Sequence, residues 1–115
     1  MNKIYYLSSC STCARIMQEL KLKDKKFILQ DIKTEPITKE QIDEMKALSG
    51  SYEALFSRVA LKYKTLDPKP STEGEYKKLI LSEYTFLKRP VILTKGKIFI
   101  GNSKANVQAA KETIG

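Results

Sequence analysis

Two cysteines, Cys10 and Cys13, bracket a Ser11-Thr12 pair between a strand-like apolar run, Ile4-Tyr5-Tyr6-Leu7, and a stretch of helical periodicity. They are the only cysteines in the chain. A thiol placed where a helix begins meets unpaired backbone N–H groups and the positive end of the helix dipole, both of which favour the thiolate. The thiolate, not the thiol, is the nucleophile. Strand, C-x-x-C and helix in that order read as a reactive-thiol site. Cys10 is expected to attack, and Cys13, one helical turn on, to resolve by forming an intramolecular disulfide.

A chain of 115 residues with 42% hydrophobic residues has enough apolar material for one folded domain over 1–115. Met1-Asn2-Lys3-Ile4 shows no signal-peptide core, and no apolar run is long enough to span a bilayer. The expected setting is the cytoplasm, without membrane attachment. Paired cysteines there are seldom a structural disulfide. With no histidine in the chain, a zinc site would be short of ligands, so no metal is expected. The net charge of +8 suits anionic partners, but its lysines are scattered rather than gathered into a block. No nucleic-acid-binding motif stands out, and direct nucleic-acid binding is not expected.

The periodicity predicts a first strand over 3–7, a helix over 11–22, a turn at 23–25 and a second strand over 26–31. Pro36 keeps the following link extended. Thr38 with Gln41 three residues on forms a capping-box pattern and starts a helix ending near Gly50. A short helix and turn are expected over 52–61, a helix over 71–84, and a strand over 90–94. Lys95-Gly96 makes a hairpin turn into a strand over 97–100, and a last helix covers 104–113. The result is an α/β fold: a mixed four-stranded sheet flanked by helices, with a helical insert at about 38–84 between strands two and three. With its C-x-x-C, this order is thioredoxin-like.

Arg89-Pro90 precedes the third strand. In a thioredoxin-like fold the proline at this place is commonly cis and faces the active cysteine. Arg89 would then point toward the thiol and hold an oxyanion through its two-pronged guanidinium. Arg15 lies on the first helix beyond the motif and is more simply an exposed arginine. Arg58, in Leu55-Phe56-Ser57-Arg58, carries no local signal of function.

The stretches YLSSCSTCA (6–14), DIKTEPIT (31–38), LFSRVALKYK (55–64), LKRPVI (87–92) and FIG (99–101) together resemble the ArsC/Spx family, the arsenate-reductase-like branch of the thioredoxin superfamily. The resemblance implies that Cys10 is the nucleophile, that Arg58 and Arg89 bind an oxyanion, and that Pro90 is the cis-proline. Substrate is expected to meet Ser11, Thr12, Arg58, Arg89 and Pro90. Glutathione, glutaredoxin or thioredoxin is implied as electron donor, with no bound cofactor.

Glutaredoxin-coupled arsenate reductases carry a third arginine after the last strand. Here that region reads Gly101-Asn102-Ser103-Lys104, which puts arsenate in question. They also usually have one cysteine, whereas Cys13 here matches the Spx-type regulators. Three readings follow. The first is a reductase acting on an oxyanion or a disulfide. The second is an Spx-like redox switch that binds RNA polymerase. The third is a glutathione-linked disulfide reductase.

Overall fold

The computed structural model describes residues 2–115, apart from the side chain of Lys23. Two compact units are distinguished: the residues up to Glu35 together with Arg89–Gly115, and Pro36–Lys88. The insert expected at 38–84 falls within the second. No helix among the described residues is long and apolar enough to cross a membrane.

The first unit is built on a four-stranded sheet of order β2-β1-β3-β4. The strands are β1 (Lys3–Tyr6), β2 (Ile28–Asp31), β3 (Val91–Thr94) and β4 (Lys97–Ile100). β1 runs parallel to β2, and β3 is antiparallel to both β1 and β4. The mixed thioredoxin-like sheet is thus as the element order implied. β1 and β3 are inner strands. Consecutive residues Ile4 and Tyr5, and all four of β3, are buried, which is why both read as continuous apolar runs rather than alternating ones.

Helices α1 (Ser11–Glu19) and α4 (Lys104–Ile114) contribute to one hydrophobic core with the sheet. Ile16 from α1, Leu20 at its C-terminal cap, and Val107 and Ala110 from α4 meet Ile4, Ile92 and Phe99. Cys13 is fully buried on the same α1 stripe as Ile16 and Leu20, spaced three and seven residues from it.

α1 stops short of the expected residue 22. Lys21 turns left-handed at φ 54°, and a 3-10 turn, Leu22–Lys25, follows. Leu22 and Phe27 drop into the core from this connection, and Lys26 is again left-handed. That geometry delays β2 to Ile28 instead of residue 26. The β3–β4 hairpin turns at Lys95 and Gly96, with φ of 52° and 74°. Two consecutive positive φ values make the turn whose twist matches the strands it joins.

The second unit holds α2 (Lys39–Ser49) and α3 (Glu73–Ser82). Thr38 and Gln41 form the expected capping box. The Gln41 amide donates to Thr38 Oγ1 at 3.1 Å and the Thr38 amide to Gln41 Oε1 at 3.0 Å. α3 covers Glu73–Ser82 rather than 71–84 because Thr72 caps it, its side chain accepting from the amide of Glu75 at the third helical position. The short helix and turn expected over 52–61 are a single 3-10 turn, Glu53–Leu55, and an extended stretch, with a second 3-10 turn at Leu61–Thr65. Between them Phe56 is extended and bridges Leu87, with Ser57 N–H on Phe86 O at 2.7 Å and Lys88 N–H on Leu55 O at 2.8 Å. Phe56 is fully buried against the rings of Tyr63, Tyr76 and Phe86, at centroid distances of 5.8, 5.1 and 5.2 Å. Tertiary pairing of this segment overrides its helical pattern.

Replacing Thr38 by Ala removes one half of the capping box and is expected to cost about 1 kcal/mol in urea denaturation. Lys95→Asn acts in the opposite sense. Asn accepts the left-handed conformation more readily than Lys, so the change is expected to stabilise by about 0.5 kcal/mol, read as a melting temperature raised by about 2–4 °C.

Candidate active site at the start of α1

The sheet sets the site by what it gathers at the C-terminal end of β1. Tyr6 is level with Asp31 on the parallel side, and Tyr5 with Val91 on the antiparallel side. The chain leaving β1 therefore passes between the end of β2 and the start of β3. Asp31 accepts from the Ser8 amide at 3.3 Å and from the Lys33 amide at 3.1 Å. The Ser8 hydroxyl beside it, together with these amides, holds the Asp31 carboxyl below its usual range. The turn closes with the Cys10 amide on Leu7 O at 3.0 Å, and Cys10 O accepts from the Ala14 amide at 3.2 Å.

Cys10 thus occupies the N-cap of α1, with extended dihedrals (φ −96°, ψ 110°). Its thiol makes no capping hydrogen bond in the neutral form. Partial burial alone would push the Cys10 thiol up. The backbone N–H and thiol of Cys13, the N–H of Thr12 and the charge of Arg89 outweigh this, and the thiol lies below its ordinary value. Cys13 is displaced the other way, to about 11, first by burial and then by the neighbouring Cys10 sulfur, against the pull of the Leu7 backbone and Arg89. Both cysteines are free thiols. The pair is therefore polarised: the half-exposed sulfur is the more easily ionised of the two, and the buried sulfur holds its proton more firmly.

Arg89 is half-buried, and the Arg89–Pro90 peptide bond is cis. Pro90 is buried, and its carbonyl accepts from the Gly101 amide at 2.9 Å. The loop at Gly101 leads to Ser103, which caps α4 by accepting from the Asn106 amide at 3.2 Å. Lys104, at the place of the third arginine, is the exposed first residue of α4. Arg15 is exposed on α1.

Of the residues singled out from sequence, Cys10, Ser11, Thr12, Cys13, Arg89 and Pro90 lie in the first unit. Arg58 lies in the second. There its Nη2 donates to Glu53 Oε2 at 2.7 Å and to the Tyr76 hydroxyl at 2.8 Å, with the guanidinium over the Tyr76 ring at 5.5 Å. To take an oxyanion with that nitrogen, Arg58 would have to release Glu53. Sequence reasoning gave no role to Asp31, which fixes the turn carrying Cys10. The available signal was register: parallel strands ending together put Asp31 beside the residues that follow Tyr6.

The chain resembles known proteins throughout its length. No curated protein matches it. Among solved structures, a YffB protein superposes with a TM-score of 0.81 at 20% identity, covering 100% of both chains. A Vibrio cholerae arsenate reductase superposes at 0.77 with 13% identity, over 96% of this chain and 95% of that one. At those identities the likeness is one of fold. A Streptococcus mutans protein described as a possible arsenate reductase is 27% identical, with a TM-score of 0.71, over 90% of this chain and 92% of its own. The model of the ArsC family matches residues 5–110, from the middle of β1 to the last core residue of α4. The chain belongs to the ArsC family.

Proposed function

We propose that the chain is a thiol-dependent reductase of the arsenate-reductase type, with Cys10 as nucleophile and Cys13 as resolving thiol. The observation that carries this is the opposed displacement of two neighbouring thiols, Cys10 down and Cys13 up. Membership of the ArsC family supports the reading, as does the description given to the Streptococcus mutans relative.

On a disulfide substrate, the Cys10 thiolate attacks one sulfur and the other leaves as a thiolate. Once Cys10 is bonded, its negative charge no longer opposes ionisation of Cys13. The Cys13 thiolate then displaces the remaining substrate sulfur, leaving a Cys10–Cys13 disulfide. On an oxyanion such as arsenate, Cys10 displaces one oxygen as water. Attack of a second thiol on the Cys10 sulfur then passes an electron pair to arsenic, giving arsenite and a disulfide. Arg89, whose charge lowers the Cys10 thiol, is assigned stabilisation of the negative charge that builds up, and Arg58 the same role once freed from Glu53. Ser11, Thr12 and Pro90 would line the substrate. Reduction of the disulfide falls to glutathione with glutaredoxin, or to thioredoxin, in a cytoplasmic setting. An Spx-like switch that docks on RNA polymerase would use the same disulfide without turnover.

Iodoacetamide labelling followed by mass spectrometry is expected to mark Cys10 and spare Cys13 at neutral pH. Since a lowered pKa keeps the thiolate populated at lower pH, the rate should reach its plateau below the pH at which a free cysteine does. Arg89→Gln withdraws a positive charge, so the midpoint should move up and the neutral-pH rate fall. An intact chain that alkylates no faster than free cysteine would sink the proposal.

Turnover is tested by NADPH consumption with arsenate, glutathione and glutaredoxin. The intact chain is expected to consume NADPH and Cys10→Ser to lose at least about a hundredfold, as expected for a removed nucleophile. Equal rates with both chains would exclude Cys10 chemistry. No turnover with arsenate, but with a Cys10–Cys13 disulfide that forms reversibly, would remove arsenate under this donor and point to a disulfide substrate or a switch.

A further inference from the structure

Leu7, which joins β1 to the turn before Cys10, is tied to both cysteines through its backbone. Along a strand, the backbone groups of successive residues point to opposite edges. Tyr6 faces β2, and its carbonyl accepts from the Ile32 amide at 2.9 Å. Ser8 faces the same way, and its amide donates to Asp31 Oδ1 at 3.3 Å. Leu7, between them, faces the β3 edge. The β1–β3 ladder ends where Tyr5 lies level with Val91, so Leu7 is the next residue on that edge, just beyond the ladder. Its carbonyl accepts from the Cys10 amide at 3.0 Å. Its N–H points to the same side and donates to the Cys13 sulfur, lowering that thiol against the burial that lifts it to about 11.

Three considerations decide what this N–H does. The first is burial: Leu7 is 7% exposed and Cys13 0%. A buried N–H needs a partner, and in so dry a place its hydrogen bond to a charge is stronger than in water. The second is selectivity. Backbone groups of Cys13 and Thr12 lower Cys10, that of Leu7 lowers Cys13, and Arg89 acts on both. The third is hold. The two peptide groups that flank Leu7 are each anchored to the end of β2, one by the Ile32 amide and the other by the Asp31 carboxylate. That carboxylate is itself fixed by the Lys33 amide at 3.1 Å. A residue clamped on its β2 side has its N–H aimed before the thiolate exists.

We propose that the Leu7 N–H is the donor that stabilises the Cys13 thiolate in the resolving step, and that Asp31 is the positioning residue that aims it. The inference rests on the proposed thiol chemistry and assigns its two steps to different backbone groups. After the first step Cys10 is bonded to a substrate sulfur. The Cys13 proton passes to water, and the Leu7 N–H meets the negative charge left behind. The Cys13 sulfur then attacks the Cys10 sulfur, and the bond from Cys10 to the substrate sulfur breaks. The electron pair of that bond leaves on the substrate sulfur, which takes up a proton. The two protein sulfurs are oxidised to a disulfide, and the substrate sulfur is reduced to a thiol.

Stopped-flow reaction with 5,5′-dithiobis(2-nitrobenzoate) reads both steps in one trace. Cys10 releases the first coloured thiolate at a rate proportional to the reagent. Cys13 releases the second, on closing the disulfide, at a rate independent of it. Ligating a synthetic segment 1–9 to 10–115 at Cys10 gives the full chain with an ester in place of the Tyr6–Leu7 amide, which removes the N–H and keeps the side chain. An all-amide chain made the same way is the reference. Without the donor, the second phase should rise with pH about one pH unit later, the least that one hydrogen bond to a charge is worth. A more basic thiolate attacks faster, which returns part of the loss. The ratio of second- to first-phase rates is therefore expected to fall about three- to tenfold at neutral pH. Asp31→Ala should lower the same ratio with the same displacement. Asp31→Asn, which keeps an acceptor for the Ser8 amide, should recover most of it. Asp31→Ala leaves the backbone of β1 intact and serves if the ester chain does not fold. An ester chain with an unchanged second-phase pH profile, or with both phases slowed alike, would overturn the role of Leu7. An Asp31→Ala profile matching that of the intact chain would overturn the role of Asp31. The Cys10 chemistry stands in either case. A reference chain with no first phase would remove the proposed function, and one with a first phase but no second would remove Cys13 as resolving thiol and this inference with it.

Discussion

The pairing of β1 on both its edges is the constraint on which the site depends. A strand held parallel on one side and antiparallel on the other places the end of β2 and the start of β3 at the same point. Asp31 comes to the turn from one and Arg89 to the sulfur from the other. Neither is near Cys10 in sequence. The helix N-terminus supplies the backbone N–H groups, but the sheet decides which way the chain enters the helix. Loss of register between β1 and either neighbour would therefore disturb the surroundings of Cys10 before it disturbed the core.

The two thiols illustrate how one motif acquires two roles. Their separation by one helical turn puts one at the cap and the other on the buried stripe with Ile16 and Leu20. The same residue type then meets unpaired N–H groups in one place and hydrocarbon in the other. No histidine is present to act as a base, so ionisation is governed by burial, backbone groups, the partner thiol and Arg89. The opposed pKa displacements follow from the different burial of the two positions, the helix-start backbone, the partner sulfur and Arg89.

Much of this was legible in the chain. β1, α1, the Thr38–Gln41 box and the Lys95-Gly96 hairpin all rest on local signals, namely apolar runs, period, caps and turn residues. What escaped was set by distant partners. The short helix expected from Tyr52 is cut to one 3-10 turn by the Phe56–Leu87 bridge, and Glu73 accepts the amides of Tyr52 and Glu53 from twenty or more residues away. The early end of α1 follows from burial of Leu22 and Phe27, which a helical continuation would not deliver to the core. At the site, the cysteine pair and the Arg89-Pro90 step carry their own motif. Asp31 and the Glu53 and Tyr76 partners of Arg58 do not, because strand register and side-chain reach leave no periodic trace.

The burial of Cys13 makes its sulfur a structural member of α1, and in the proposed mechanism a reactant as well. It lies on the stripe that packs the helix to the sheet, so the packing that holds the fold also governs how freely that sulfur ionises. Chemistry and folding share one side chain here. In the proposed mechanism, substitutions among its core neighbours would accordingly alter how readily the second sulfur ionises, even where no substrate could reach them.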